Sequence, residues 1–494
     1  MKTNKLLVMG AALLLTASTV ACGGSSEATS SQAATSQNSS EASSSTTSRN
    51  KYDAAWQIPE EGFDDTKDVT ITFYSTQGTA LKTTMDAYIE KFEEAYPNIT
   101  VEHTAVGSYD DVKNQITTEL SSRGGPDIAY CYPDHVALYN KTKAVVTLDN
   151  LMEDDELGLT TDQYDDYVTS FLNEGKSFGD GLMYTLPFSK STEIMYYNKT
   201  VFDTLNLSVP THWFATTENV DDDKTSLEYV CKALKTAYPD STPFGYDSSS
   251  NWFITMCEQL GTPYTSATGT NFQFNTKDNQ QFVTDFKTKF YDKGYCTTQD
   301  IYGSYTSGLF TSTTSARCFM CVGSSAGASY QVPSKVDDAY PFEVSVASIP
   351  QANENRKKVI SQGPSLTILN HGDSQKIIAS WLFMKYFTTN VQFQAEWGIQ
   401  SGYVPVIKSV NENETYKAHL AKAENSSSDL KERVTAQAAK LCLAQTSYYY
   451  TSPAFVGSST ARTQVGNIIT QVFQGKSDVN TAFTDAIAAC EADI

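Results

Sequence analysis

Apolar side chains in the first part of the chain alternate between strand-like runs and helix-like spacing. Residues 69–75 (VTITFYS) are rich in β-branched and aromatic side chains, which predicts a strand. Residues 81–96 carry apolar side chains three and four positions apart, which predicts an amphipathic helix. A second strand at 99–103, a second helix at 112–120 and a third strand at 127–132 follow. This β-α-β-α-β order predicts a parallel sheet with right-handed crossovers.

Two loops of this predicted sheet are candidates for binding a ligand. Ligands of parallel sheets bind beyond the carboxyl ends of the strands. Residues 76–79 and 132–135 stand at those ends, after the first and the third strand. We therefore expect both segments to face a binding site.

The N-terminus has the pattern of an export signal. Two lysines precede an unbroken run of apolar and small residues at 6–21, which has the length of a signal peptide and is short for a membrane span. The following Cys22-Gly23 completes an order that resembles the lipobox of bacterial lipoproteins, which implies that Cys22 becomes lipidated. Thr19 stands where lipoboxes usually carry Leu, so plain secretion is the alternative.

A polar segment separates this signal from the folded part. Residues 24–50 are nearly all Ser, Thr, Ala, Gln and Asn, a composition that lacks the apolar side chains needed to offset the entropy of ordering. We assign residues 1–21 to the signal peptide and residues 22–67 to the lipidated cysteine and a disordered tether. Beyond residue 21 no stretch approaches the roughly 18 to 20 apolar residues that span a bilayer.

Composition and net charge favour a large globular protein and disfavour a nucleic-acid-binding protein. The 494 residues are 40% hydrophobic and 19% charged, which supports a large core and two or three domains. The formal net charge is -21, and an acidic surface of this kind disfavours nucleic acid, whose phosphates require Lys and Arg. The alternative explanation of the acidic charge is that it only keeps the protein soluble through repulsion between molecules.

Cysteine and histidine spacing argues against a metal or redox site. Eight of the nine cysteines remain when Cys22 is set aside, and an even number in an exported protein permits disulfides whose pairing stays open. Cys318 and Cys321 imitate a metal-binding spacing, but they lie in an apolar run that predicts a buried strand, where side chains three apart face opposite ways. The five histidines are scattered, and no HExxH, GxSxG or phosphate-binding loop occurs. We expect no metal and no cofactor.

Nine segments of residues 68–494 resemble, in order and spacing, the family 1 extracellular solute-binding proteins, the receptors for maltose and multiple sugars that serve ABC importers. The segments are VTITFYSTQG, FEEAYPNITVE, GGPDIAYCYPDHV, YTLPFSKSTEIMYYNKTVF, FMCVGSSAGASY, IPQANENRKKVISQGPSL, ASWLFMKYFT, SGYVPV and VFQGKSDVNTAFTDAIAAC. The chain departs from the family pattern at VPTHWFATTENV, where a simpler turn is usual.

The resemblance implies an α/β fold of the periplasmic-binding-protein type (type II), in which two lobes are joined by crossing hinge strands. It places residues 68–187 and 350–400 in lobe one. It places residues 188–349 and 401–494 in lobe two.

The resemblance also implies where the ligand contacts lie. On lobe one and the strand that leaves it, the candidates are Gln77, Gly78, Tyr132, Asp134, Ser191, Thr192 and Glu193. On lobe two and the hinge, the candidates are Trp252, Ser324, Ser325, Tyr403 and Arg462. Aromatic faces suit the C–H faces of a sugar ring, and short polar groups suit its hydroxyls.

Several of these candidates have a structural alternative. Gly78 fits a plain turn, and Glu193 fits a solvated surface charge. Trp252 and Tyr403 fit core positions, and Arg462 fits a salt bridge on a helix surface.

The function that the resemblance implies is capture of a small solute, a mono- or oligosaccharide, by a monomer anchored through lipid to the extracellular face of the cell membrane. The partner is then the permease of an ABC importer, and no reaction is catalysed. The alternatives are a receptor for glycerol phosphate or another polar solute, a sensory receptor on the same scaffold, and an exported carbohydrate-active enzyme using carboxylates such as Asp134 and Glu193.

Overall fold

The computed structural model describes residues 49–266 and 271–494. Within these residues the strands are β1 (Val69–Ser75), β2 (Ile99–Ala105), β3 (Ile128–Cys131), β4 (Leu186–Pro187), β5 (Ser191–Asn198), β6 (Phe244–Tyr246), β7 (Cys296–Thr298), β8 (Met320–Ser324), β9 (Val344–Ala347), β10 (Val359–Gln362), β11 (Ser365–Ile368) and β12 (Tyr449–Tyr450). The helices are α1 (Thr79–Ala95), α2 (Tyr109–Leu120), α3 (Pro133–Tyr139), α4 (Asp149–Glu153), α5 (Thr161–Asp166), α6 (Thr169–Glu174), α7 (Lys199–Leu205), α8 (Leu227–Ala237), α9 (Ser249–Leu260), α10 (Lys277–Phe286), α11 (Gln299–Tyr302), α12 (Ser307–Phe310), α13 (Ser374–Thr389), α14 (Val391–Ser401), α15 (Glu414–Ala421), α16 (Leu430–Ala444), α17 (Ser458–Phe473) and α18 (Val479–Glu491). None of the helices in this part of the chain is both long and apolar enough to cross a membrane.

The first sheet contains the parallel strands expected from the sequence and forms the centre of lobe one. Its strand order is β2-β1-β3-β11-β4, with β1 parallel to β2 and β3, and β11 antiparallel to β3 and β4. Helices α1 and α2 make the two crossovers, as the apolar spacing predicts. The β-α-β-α-β prediction is confirmed.

The second sheet forms the centre of lobe two. Its order is β12-β10-β5-β8-β6-β7, and β9 pairs with β5 beside this path. Helix α9 packs on α17, which also packs on α18, and α16 packs on β9. Cys321 lies in β8, whereas Cys318 is buried two residues before that strand begins, so the predicted buried strand is confirmed at Cys321 and not at Cys318. The eight cysteines of the described residues are all buried and unpaired.

The chain passes between the sheets three times, and one crossing differs from the expected boundary. β4 belongs to the first sheet and β5 to the second, so the first crossing lies at residues 188–190. We expected the return at residue 350, but β10 still pairs with β5 of lobe two, and only β11 joins lobe one. The return therefore lies at residues 363–364. The third crossing is held by a hydrogen bond of 2.6 Å from the Val404 N–H to the Lys190 carbonyl.

The predicted tether ends earlier than residue 67, because residues 49–67 pack against lobe one. The Ile58 side chain is 2% exposed, and the Asn50 amide hydrogen-bonds both the N–H and the carbonyl of Ile58. Arg49 pairs with Asp154 through Nε, at 2.7 Å. A few apolar and charged side chains within a polar composition are therefore enough to order this segment.

Replacing Ile58 by Ala is expected to lower the free energy of unfolding by about 2–4 kcal/mol, because the truncation leaves a cavity in a closed core. Urea unfolding of the variant measures the loss. Val336→Ala, at a side chain 60% exposed, is the matched control and should stay within about 0.5 kcal/mol of the parent. Equal values for the two variants would show that residues 49–67 do not pack in solution.

Candidate ligand-binding site

A cavity of about 940 Å³ lies where elements of both lobes and the hinge meet. Lobe one contributes the start of α3 and Tyr109, and lobe two contributes the ends of β5, β8 and β10 together with the starts of α9 and α17. Its volume falls in the range typical of small-molecule sites. We call it the central cavity.

Seven of the twelve predicted contact residues line the central cavity. They are Tyr132, Asp134, Ser191, Glu193, Ser324, Tyr403 and Arg462. Tyr132 and Asp134 stand at the start of α3, directly after β3, at the strand end where ligands of parallel sheets bind. Ser191 and Glu193 are on one face of β5, two positions apart.

The other five predicted residues lie outside the cavity wall for definite local reasons. Thr192 points to the opposite face of β5, and its hydroxyl donates to the Ile360 carbonyl at 2.6 Å. Ser325 is buried against the same strand, where its Oγ accepts from the Thr192 N–H at 3.2 Å. Gln77 is buried two residues after β1 ends, and Gly78 is the exposed N-cap residue that precedes α1.

Trp252 belongs to the core of lobe two, which is the structural alternative weighed for it. Its side chain is 1% exposed and stacks on Tyr246, with ring centroids 5.1 Å apart and an interplanar angle of 11°. The residues before it on the first turn of α9, Ser249 to Asn251, face the cavity instead. A ligand stacked on Trp252 would need this core to open.

The sequence interpretation missed the loop after β6. Asp247 and Ser248–Asn251 line the cavity between the end of β6 and the first turn of α9. The rule that ligands bind beyond strand ends would have found this loop if Phe244–Tyr246 had been recognised as a strand. Gln362 and Tyr305 also line the cavity, and nothing in their local sequence singles them out.

A hydrogen-bonded network connects the cavity residues of lobe two. Glu193 accepts from the Tyr246 hydroxyl and from Asn251 Nδ2, the second at 2.9 Å. The same Asn251 nitrogen donates to Gln362 at 2.8 Å, while Asn251 Oδ1 accepts from Arg462 Nη2. This network holds the Arg462 guanidinium on the cavity wall through Asn251, an arrangement that differs from the surface salt bridge considered as the alternative.

Burial raises the pKa of Glu193 to about 7, and the hydrogen bonds from Tyr246 and Asn251 only partly oppose it. An acid whose folded pKa exceeds its unfolded pKa stabilises the fold below the unfolded pKa, and that stability is lost as the pH rises through the folded pKa. The window for Glu193 is therefore about pH 4.5 to 7.

We expect the parent to lose about 3 kcal/mol across this window relative to Glu193→Gln, which has no charge to bury. Urea unfolding of both proteins at pH 5, 6, 7 and 8 measures the difference. Parallel pH profiles for parent and variant would contradict the assignment of a buried, titrating Glu193.

Several buried polar atoms on the cavity wall have no hydrogen-bond partner within the described residues. They are His135 Nδ1, Ser249 Oγ, Tyr264 OH, Gln331 Oε1, Ser361 Oγ and Ser452 Oγ. Buried polar groups in folded proteins are nearly always hydrogen-bonded, so six unpaired polar atoms among the residues of one cavity wall are unusual.

The charges on the wall are mainly acidic. Asp134, Glu193 and Asp247 face the cavity, and burial raises the pKa of Asp247 as well. Among the described lining residues Arg462 is the only Lys or Arg. No group of three His, Cys, Asp or Glu in the described ranges could hold a metal ion.

Comparison with known proteins identifies the family. The profile of the family described as bacterial extracellular solute-binding protein matches residues 87–424. The multiple sugar-binding protein of Streptococcus mutans is 26% identical over 193 residues, 39% of each chain. The sn-glycerol-3-phosphate-binding periplasmic protein UgpB of Salmonella typhimurium is 23% identical over 133 residues, 27% of this chain and 30% of UgpB. The chain thus spans well under half the length of the curated relatives that it matches.

A solved structure shows the same fold. The crystal structure of UgpB from Mycobacterium tuberculosis in complex with glycerophosphocholine has a TM-score of 0.67 and 17% identity, over 86% of this chain and 98% of UgpB. The predicted α/β fold with two lobes of the periplasmic-binding-protein type is confirmed by this likeness. Since the family profile covers more than half of its residues, the chain belongs to the bacterial extracellular solute-binding proteins.

Proposed function

We propose that this chain captures an uncharged, hydroxyl-rich solute, a mono- or oligosaccharide, in the central cavity and presents it to the permease of an ABC importer. The observation that carries the proposal is the lining of the central cavity, where serine hydroxyls, the amides of Asn251 and Gln362 and several tyrosines face one space. Short polar side chains of this kind match the hydroxyls of a sugar, because every hydroxyl both donates and accepts. The name of the Streptococcus mutans relative supports a sugar.

Capture on this proposal works by a shift between open and closed forms. Contacts from both lobes exist together only when the lobes are closed, so the ligand favours closure by its extra affinity for that form. The permease then binds the closed form of the protein. The solute leaves unchanged, in keeping with a family of binding proteins.

A glycerophosphate-type solute is the second candidate, because Arg462 faces the cavity and a guanidinium matches phosphate oxygens. The names of the two UgpB proteins support it. Against it stand Asp134 and Asp247 on the same wall, since a second negative charge in a partly dehydrated cavity is repelled. We therefore rank the sugar first.

We further propose that the protein is a lipoprotein on the extracellular face of the membrane. Cys22, the proposed lipid attachment site, lies outside the described residues, as do the signal peptide and most of the tether. A lipid on Cys22 followed by a polar stalk would hold a monomeric binding body close to its permease. Mass spectrometry of the mature protein from its own cells tests this, since a diacylated Cys22 is the expected first residue.

A thermal-shift panel tests the choice of solute. The chain without residues 1–22 is heated with neutral mono-, di- and oligosaccharides, with glycerol 3-phosphate and glycerophosphocholine, and with glycerol as a small polyol control. A ligand at about 100 times its Kd adds about 2.7 kcal/mol of stability, so at least one sugar should raise the melting temperature. Stabilisation by the phosphates alone would move the assignment to the second candidate.

A further inference from the structure

One carboxyl group of the central cavity is part of the wall and yet almost fully buried. Glu193 lies on β5, paired with Ser324 of β8, and it is 1% exposed although it lines the cavity. Ionising a carboxyl group at such a position is costly, because burial disfavours the charged form. A ligand that fills the cavity therefore meets an acid whose charge depends on its surroundings.

Three neighbouring side chains favour the ionised form of Glu193. The Tyr246 hydroxyl donates to Oε2 of Glu193, and Asn251 Nδ2 donates to Oε1 at 2.9 Å. Arg462 Nη2 donates to Oδ1 of the same Asn251, so a positive charge lies directly behind this amide. Hydrogen bonds to the charged form and a nearby cation both stabilise a carboxylate.

Burial and a second carboxyl group favour the neutral form instead. Asp247 also lines the cavity, where its Oδ1 accepts from the N–H and the hydroxyl of Thr306, each at 2.7 Å, and it disfavours a negative charge on Glu193. Burial is the largest effect, and it raises the pKa of Glu193 to about 7. Near neutral pH the two forms of Glu193 are therefore present in comparable amounts. The charged and titratable groups that face Glu193 in lobe two are Arg462, Asp247, Tyr246 and Tyr450, and lobe one adds Asp134 and His135 to the same cavity wall.

A sugar hydroxyl discriminates between the two forms of Glu193. Each oxygen of a carboxylate accepts about two hydrogen bonds, so Tyr246 and Asn251 leave acceptor sites to which a hydroxyl of the solute can donate. A hydrogen bond to an ionised acceptor is roughly twice as strong as one between neutral groups. The donated bond therefore favours the ionised form, and by linkage the binding of the sugar lowers the pKa of Glu193 and releases a proton.

We propose that Glu193 couples capture of the neutral sugar to proton release, so that the protein binds the sugar more tightly in neutral than in acidic surroundings. The carboxyl O–H bond breaks, its proton passes to the buffer, and the carboxylate accepts a hydrogen bond from the sugar, whose own covalent bonds stay intact. This inference rests on the proposed function, because it names how the same site is regulated.

Isothermal titration calorimetry of the chain without residues 1–22, at pH 5.5, 6.5 and 8, tests the proposal. The probe is the neutral sugar that raises the melting temperature most in the thermal-shift panel, titrated in two buffers that differ in ionisation enthalpy. Neutral sugars do not titrate in this range, so a proton that is released comes from the protein. We expect binding about five- to tenfold weaker at pH 5.5 than at pH 8, and release of roughly half a proton per sugar at pH 6.5.

Two variants assign the proton to its residue. Glu193→Gln removes the titrating group, so it should bind the sugar with the same affinity at all three pH values and release no proton. Glu258→Gln is the matched control, because burial also raises the pKa of Glu258, which lies on α9 and among the described residues is not part of the cavity wall. This control should keep the pH dependence of the parent.

The parent alone can overturn the proposal, whatever the variants do. Equal affinity at pH 5.5 and pH 8, or uptake of protons on binding, would exclude proton release at Glu193 and leave the proposed function standing. A pH dependence that persists in Glu193→Gln would also overturn the proposal, and it would move the titrating group to Asp247 or His135. If the parent binds no sugar of the panel at any of the three pH values, the proposed function and this inference fail together.

Discussion

Gly363→Ala is expected to lower the free energy of unfolding by about 3–5 kcal/mol, because the new methyl group has no space at the hinge. Gly363 has φ +101°, and an ideal Cβ there would lie 2.2 Å from the Ser189 carbonyl oxygen and 3.1 Å from Lys190 Cα. These are backbone atoms of the first crossing, so no side chain can move aside. Strain at positive φ and overpacking each contribute about 1–3 kcal/mol. Urea unfolding measures the loss.

Gly372→Ala is the matched control, since Gly372 also has positive φ, +89°, but an added Cβ would have nothing within 4 Å. It should cost about 1–2 kcal/mol, the strain alone. If Gly363→Ala costs no more than Gly372→Ala, then the two crossings are not in contact in solution. That result would contradict the hinge described above.

Lys190→Met is expected to cost about 3–5 kcal/mol, because it leaves a buried carboxylate without its cation. The Lys190 side chain is 0% exposed and that of Glu174 is 3% exposed, and the two form an ion pair beside the central cavity, whose wall includes Glu174. Lys190 Nζ also donates to the Gly363 carbonyl at 2.9 Å. One ammonium group therefore ties the first two crossings to α6.

The double variant Lys190→Met/Glu174→Gln should recover part of this loss, because it removes the charge that the single variant leaves unpaired. Lys417→Met is the surface control, since in the part of the chain that the structure describes Lys417 pairs only with the exposed Glu412 and Glu414, and it should cost less than about 1 kcal/mol. Equal losses for Lys190→Met and Lys417→Met would mean that water reaches the hinge pair.

The sequence predicted the parallel part of lobe one because its signal is local. Residues 69–131 have apolar runs and helical spacing that agree with the strands and helices observed. The position of the return crossing, in contrast, could not be predicted from local sequence. β10 and β11 are both strands of four residues separated by Gly363 and Pro364, and only pairing with β5 or with β3 assigns each to a lobe. Such pairing is a tertiary property that local sequence does not contain.

The site shows the same division between local and tertiary information. Alternation along a strand is local, and it could have excluded Thr192 once Ser191 and Glu193 were chosen. The burial of Trp252 depends on tertiary packing, because Asn251 on the first turn of α9 faces the cavity whereas Trp252, the next residue, faces the core. The hydrogen-bonded position of Arg462 depends on α9 and α17 lying side by side, which no spacing in the sequence reveals.

The central claim is that one solute is held by both lobes at once, and calorimetry on two single variants tests it most directly. Asp134 belongs to lobe one and Arg462 to lobe two, and both line the cavity. With the sugar that gives the largest thermal shift, we predict that Asp134→Ala and Arg462→Ala each weaken binding at least about tenfold, a loss of about 1.4 kcal/mol. Full affinity in either variant would show that one lobe suffices, which would contradict capture between the two.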